Sequence, residues 1–416
     1  MRRSYEQHRT IAQELAIAGK AVVVVVVRRK PRGSAGPKQN MAAASENCAE
    51  LLRGGRRNHD AVAPEDILRV LAESLRLCAK MRKLGLYLGR LPGFDKSGFD
   101  RRDLIECVRT ADACGYDSFW LPEAWEHDAF TVLTELATCT KRIHLCTGII
   151  NVFSRSPALI AMSSASLDEI SGGRFRLGLG TSGARVVEDL HGIRFNRPLT
   201  RLTETVRVIR ALLEGQPANF IGECFSLQRF KLGFKPLRPD IPIYVAALAP
   251  KSVRKAGELA DGWLPTHWPR TRLRDGIAEL YTGAAQSNRD PDRIEIAPFV
   301  NVVVSDDLTK ARNRARLPIA YYVGGMGDYY HASLSRLGFG AEADRIRVLW
   351  LGGRPKLAIS VVSDEMVDTL AICGSVESCR ARLDDFYVEG ATLPLVPIPD
   401  EGSTSEKCRV IEALIS

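Results

Sequence analysis

From Met81 onward the chain repeats one pattern, a short run rich in β-branched, aromatic or leucine residues followed by a longer stretch with helical spacing. Strand-like runs fall at 83–88, 117–121, 143–152, 174–180, 241–248, 262–265, 294–304 and 391–397. Between them, helical periodicity covers 101–113, 129–140, 157–170, 200–213, 252–260 and 378–387, with breaks at Gly115, Ser171-Gly172-Gly173 and Pro198. Strands that alternate with helices belong to a parallel sheet, because a parallel pair needs a crossover long enough to hold a helix. Eight such units in about 320 residues match the size of a (β/α)8 TIM barrel with insertions. A doubly wound open sheet is the alternative, but Gly85-Leu86-Tyr87-Leu88-Gly89 after the first strand lacks the dinucleotide-binding spacing. Two stretches break the repeat: 219–225 with 230–235 reads as a small hairpin, and 320–360 as a long insertion.

The first eighty residues differ in kind. Of the 58 basic and 49 acidic residues that make the net charge +9, 15 and 8 fall within 1–80, which leaves 43 and 41 for the rest. The excess charge therefore belongs to residues 1–80, and the body lacks the basic footprint of a nucleic-acid-binding domain. Val22 to Val27 is an apolar run far short of the roughly twenty residues that span a bilayer. Neither membrane nor nucleic acid is expected as a partner. Residues 1–80 read as a basic, disordered extension with one helix at 64–80, or as sequence upstream of the true start, and 81–416 as the folded domain. Ten cysteines form no C-x-x-C pair, so no zinc site is expected and the usage suits a reducing cytoplasm.

In a barrel the reacting groups sit on the loops after the strands. After the second strand comes Pro122-Glu123-Ala124-Trp125-Glu126-His127-Asp128; after the third, Thr147-Gly148-Ile149-Ile150-Asn151 running on to Arg155-Ser156-Pro157. The fourth is followed by Gly180-Thr181-Ser182-Gly183, and the fifth by Ala249-Pro250-Lys251 at the start of a helix. No Ser/His/Asp set and no H-E-x-x-H appears, so the site is expected to serve a cofactor rather than a protein nucleophile.

At these strand ends the chain resembles the luciferase-like monooxygenase superfamily, within it the coenzyme F420-dependent branch that includes methylenetetrahydromethanopterin reductase. The resemblance rests on Gly115–Glu123, Thr147–Pro157, Leu167–Phe175, Leu177–Gly183 and Ala256–Trp263, five segments in order over some 320 residues. It implies a TIM barrel and hydride transfer between coenzyme F420 and a small organic substrate. FMN, in a monooxygenase, is the alternative cofactor. A protein of another class, acting on polyanions through its basic N-terminus, is the further alternative. The resemblance also implies a homodimer.

For cofactor binding the resemblance implies Gly148 and Ile149, at a non-proline cis bond behind the ring, with Asn151 as a donor. It adds the 180–183 loop (Gly180, Thr181, Ser182, Gly183) for phosphate, and Ala249 and Pro250, where relatives carry Gly-Pro. Glu123 and His127 are the catalytic candidates. Glu123 reads equally as a carboxylate at a helix N-terminus, Arg155 as a partner for the cofactor's acidic tail or a solvated cation, and His127 as a structural residue. Ser182-Gly183 and Val186 replace the Gly-Glu pair and Asn of the sugar-phosphate dehydrogenases, so glucose-6-phosphate oxidation is not expected. Tyr321, Tyr322, Met326, Tyr329, Tyr330 and His331 in the insertion stand either as a pocket roof or as a helix–helix seam.

Overall fold

The computed structural model describes residues 11–17, 20–26, 82–89, 91 and 100–415. It divides into an N-terminal unit, Met1–Arg82, and a body, Lys83–Ser416. In the N-terminal unit β1 (Ile11–Ile17) and β2 (Lys20–Val26) pair antiparallel, Ile17 opposite Lys20. Val22–Val26 is an unbroken β-branched run, which favours an extended chain, and only two residues separate β2 from β1. The helix expected at 64–80 lies outside the described residues.

In the body, all eight expected strands form. In ring order they are β3 (Gly85–Tyr87), β4 (Ser118–Leu121), β5 (His144–Thr147), β7 (Phe175–Gly180), β10 (Ile243–Ala246), β11 (Gly262–Leu264), β12 (Glu295–Ile296) and β15 (Leu395–Pro397), every pair parallel. Phe299 bridges Thr266 on one side and Leu395 on the other, and the Leu395 N–H donates to the Pro298 carbonyl at 2.9 Å, so the ring closes. The short strand β6 (Ile150–Asn151) continues β5 past a kink and pairs with β7. Each barrel strand is buried on both faces, hence the short apolar runs; all six residues of β7 are buried.

The helices follow from their ends and faces. In α1 (Arg101–Cys114) the Asp100 carboxylate accepts the Arg102 N–H at 2.8 Å, Gly115 closes the helix at φ 91°, and Leu104, Cys107, Val108 and Ala111 make one buried stripe. In α3 (Pro157–Ile170) Ser156 caps and Pro157 takes the first turn, where no N–H is needed. The other barrel helices are α2 (Ala129–Cys139), α4 (Pro198–Leu213), α5 (Pro250–Leu259) and α6 (Leu273–Gln286). Pro198 is thus the first residue of a helix rather than a break before it.

Two excursions differ from expectation. The hairpin is β8 (Ala218–Ile221) with β9 (Ser226–Phe230), so its second arm starts earlier than 230. The buried Glu204 carboxylate decides this, gathering the N–H groups of Glu223 (2.7 Å), Cys224 (2.9 Å) and Phe225 (3.0 Å) and pinning the turn there. The insertion is helical: α7 (Leu308–Gly325), α8 (Asp328–Leu334), α9 (Gly340–Leu351), α10 (Pro355–Val361) and α11 (Asp364–Leu370). They pack on β13 (Asn301–Val304) and β14 (Ala371–Gly374), a parallel pair outside the ring, around a separate core that includes Val303, Ile319, Ile346 and Met366. Two further helices, α12 (Val376–Val388) and α13 (Thr404–Ile415), complete the body.

Inside the ring, Trp120, Cys146, Tyr244, Leu264 and Leu395 fill the barrel, so it is a packed core and not a pore. Below them, at the N-terminal ends of the strands, lies a floor of charges. Arg176 Nη1 meets Asp117 at 2.7 Å and Glu295 at 3.4 Å, Lys83 meets Glu295 at 2.7 Å, and the Tyr244 hydroxyl donates to Glu295 at 2.5 Å. Burial pushes the Asp117 carboxyl up, but the charges of Arg176, Lys83 and His144 outweigh it and hold the group below the usual carboxylate range.

Candidate active site

The opposite end of the barrel opens into a cavity of about 1450 Å³, bounded by the strand-end loops, the insertion and α13. Pockets for drug-sized ligands run to about 300–1,000 Å³, so this one has room for a long cofactor and a substrate together.

After β4, Glu123 lines the cavity, but its carboxylate is occupied. Oε2 accepts the Ala129 N–H at the start of α2 at 2.9 Å and an Arg155 N–H at 3.0 Å, and Oε1 meets Arg155 as well. Arg155 also pairs with Asp128, the N-cap of α2, and lies over the Phe130 ring at 5.6 Å. One guanidinium thus serves two carboxylates and holds the loop shut; it is neither a solvated cation nor available to an acidic tail. His127 on this loop is exposed and does not line the cavity.

After β5 the chain kinks at Gly148 and Ile149, both in the cavity wall. A Cβ on residue 148 would lie 2.7 Å from the Pro122 backbone, so only glycine fits. The peptide between them is trans, as are all the described peptides, so the expected cis bond is corrected. The kink is held by the Gly148 N–H on the Leu121 carbonyl (2.7 Å) and the Glu123 N–H on the Ile149 carbonyl (3.3 Å). Asn151 is buried away from the cavity; its Oδ1 accepts the Phe153 N–H at 2.9 Å, and among the described residues its Nδ2 has no hydrogen-bond partner.

β7 and β10 are neighbours, which brings the 180–183 loop beside the start of α5. Gly180, Thr181, Ser182 and Gly183 line the cavity, with Ser182 in the left-handed region at φ 56°. Ala249 lines it too, its N–H donating to Ser252 Oγ at 3.2 Å, while Pro250 does not. Lys251 stands on the first turn of α5, facing the cavity and exposed. The described lining holds four cations; Lys310 and Arg314 pair with Glu401, Arg314 also with Asp400, and Lys407 with Asp103. Among the described residues Lys251 alone of the four has no ion-pair partner, so an anion entering the cavity finds its positive charge there.

Across the mouth, the insertion supplies a roof. Tyr321, Tyr322, Met326, Tyr329 and Tyr330 line the cavity, and His331 pairs instead with Asp344 at 2.7 Å. His267 stands in no motif of the sequence, yet it lies two residues beyond Pro265 and follows the same strand-end rule. It sits at φ 50°, its ring 4.6 Å from Tyr322 and 5.9 Å from Tyr330, and burial pushes its imidazole down to about 4. Tyr87 and Phe299, edge to face at 5.0 Å, complete this wall. Among the described residues no three His, Cys, Asp or Glu are placed to hold a metal, and no helix is long and apolar enough to cross a membrane.

The luciferase-like monooxygenase family profile matches residues 81–393. A Mycobacterium tuberculosis protein, named among coenzyme F420-dependent oxidoreductases, is 33% identical over 356 residues, 80% of this chain and 99% of that one. A 5,10-methylenetetrahydromethanopterin reductase of Methanolobus tindarius is 33% identical over 288 residues, 68% of this chain and 86% of that one. Among solved structures, the coenzyme F420-dependent tetrahydromethanopterin reductase of Methanopyrus kandleri superposes with a TM-score of 0.69 at 25% identity, covering 80% of this chain and 97% of that one.

Proposed function

This chain belongs to the luciferase-like monooxygenase family, an enzyme family, and we propose that it is a coenzyme F420-dependent oxidoreductase transferring hydride between the deazaflavin ring and a small organic substrate. The observation that carries the reading is Lys251 at the start of α5, beside the 180–183 loop, which among the described residues has no ion-pair partner while the other described cations of the cavity are paired. An anionic cofactor tail needs a cation and hydrogen-bond donors together, and the residues present fit that demand. Relatives named for F420 support the choice of cofactor.

When bound, the deazaflavin would supply the hydride chemistry. Thr181, Ser182, Gly183, Lys251 and Ser252 would hold the anionic part. Gly148 and Ile149 would present a flat wall to the ring, held in place by the Glu123–Arg155–Asp128 cluster. Glu123 acts here by positioning, since both its oxygens are engaged. Tyr322, Tyr330 and Met326 would exclude water from the reacting face, which raises the yield of transfer to substrate. A homodimer remains part of this proposal.

The test is an absorbance titration of the purified full chain with F420 and, separately, with FMN. Saturable F420 binding with substrate-dependent bleaching or recovery of its absorbance supports the reading. Tight FMN binding with oxygen consumption and no response to F420 overturns it.

A further inference from the structure

The wall across the mouth from Ile149 differs from the rest of the cavity in having hydrogen-bonding groups but no cation. Tyr87, Tyr322 and Tyr330 make ring contacts, and among the described residues none of their hydroxyls meets a protein hydrogen-bond partner; the same holds for both ring nitrogens of His267. None of these atoms is sealed off as a buried orphan, so they open on the cavity that all four residues line. Polar groups in an apolar wall usually have partners, and a set of four left open marks a place built for one from outside.

We propose that Tyr87, His267, Phe299, Tyr322 and Tyr330 form the substrate subsite, and that it takes a flat, uncharged, unsaturated carbonyl compound and rejects carboxylates and phosphates. The rings meet edge to face or tilted, with centroids 4.6–5.9 Å apart, the usual geometry of aromatic pairs, and together give a guest an aromatic wall that suits an unsaturated, planar skeleton. Tyrosine hydroxyls donate to a carbonyl oxygen. The wall itself carries no charge near neutral pH. Burial pushes His267 down to about 4, and burial, with the charge of Glu126, pushes Tyr322 up to about 12. The ionised group facing it is Glu126, an acid at the exposed rim, which repels anions. An anionic guest would lose its water here and meet no cation, a cost the carbonyl compound avoids.

That such a compound is the substrate rests on the oxidoreductase reading; that it binds does not. The experiment is calorimetric titration of the full chain with two probes of one skeleton, neutral benzylideneacetone and anionic cinnamate, with and without saturating oxidised F420. Benzylideneacetone should bind at least about tenfold tighter than cinnamate, in keeping with the cost of burying an unpaired carboxylate. Tyr330→Phe keeps the ring and removes the hydroxyl, and His267→Asn keeps a residue that tolerates the left-handed backbone. Each should weaken benzylideneacetone severalfold, with an unchanged circular dichroism spectrum certifying the fold. The proposal is overturned if benzylideneacetone does not bind saturably, if cinnamate binds as well, if both variants bind it unchanged, or if F420 displaces it competitively. The last result would make this wall the cofactor's own slot. Failure of F420 to bind while the neutral probe does would defeat the oxidoreductase reading and leave the subsite standing.

Discussion

The two ends of one barrel treat their polar groups in opposite ways. At the floor, Arg176 is answered by Asp117 and Glu295, Glu295 again by Lys83 and Tyr244, and almost nothing is left to pair. At the mouth, Lys251, His267 and the hydroxyls of Tyr87, Tyr322 and Tyr330 have no protein partner among the described residues. Both ends are made by the same eight strands, so the difference comes from what the strand ends present. A saturated network fixes a structure, whereas an unsaturated one leaves interaction energy for a guest. The contrast separates what keeps this protein folded from what lets it bind.

Substitutions at the two ends should therefore read out in different experiments. The largest effect belongs to the floor. Arg176→Leu leaves the largely buried side chains of Asp117 and Glu295 with the half-exposed Lys83 as their shared cation, beside His144 and the Tyr244 hydroxyl, and breaking such a pair costs about 3–5 kcal/mol. A melting temperature lowered by several degrees is expected, and an unchanged one would mean the floor contributes nothing.

A smaller effect follows from His267, whose imidazole is held near 4 against an ordinary value of about 6.5. Between these values the unfolded chain binds a proton that the folded chain refuses, so stability falls as pH drops from about 6.5 to 4 and is untouched above. The difference in melting temperature between the native chain and His267→Asn should shrink over that window. A difference constant from pH 7 to 4.5 would show the ring to be solvated. The smallest effect is Lys83→Met at the floor's rim, where a half-exposed partner is worth less than about 1 kcal/mol.

The strands of the barrel were legible because a parallel strand buried on both faces is written as a short apolar run, and each of the eight runs supplied a ring strand, although 294–304 split into β12 in the ring and β13 outside it. The helices were legible from caps and stripes, as at Asp100–Gly115 and Ser156–Pro157. β14 escaped because four residues after a long insertion carry no period of their own, and the arms of the hairpin because Glu204, nearly twenty residues away, sets its turn. At the site, Glu123, Gly148, Ile149, the 180–183 loop and Ala249 come together in one cavity, while His127, Asn151 and Pro250 lie off it. What could not be read was pairing through space. Arg155 lies 32 residues from Glu123, and the roof tyrosines reach His267 from an insertion more than fifty residues on.

The most direct measurement crosses the two ends with two readouts, melting temperature and the dissociation constant for F420, in Lys251→Ala and Arg176→Leu. Loss of one charge-assisted contact to an anionic tail corresponds to about tenfold in affinity. Lys251→Ala should therefore bind F420 about tenfold more weakly with its melting temperature unchanged, and Arg176→Leu should melt several degrees lower with its affinity for F420 unchanged at a temperature where it is folded. Unaltered F420 affinity in Lys251→Ala, or a melting temperature that falls as far as in Arg176→Leu, would contradict the division of labour between mouth and floor.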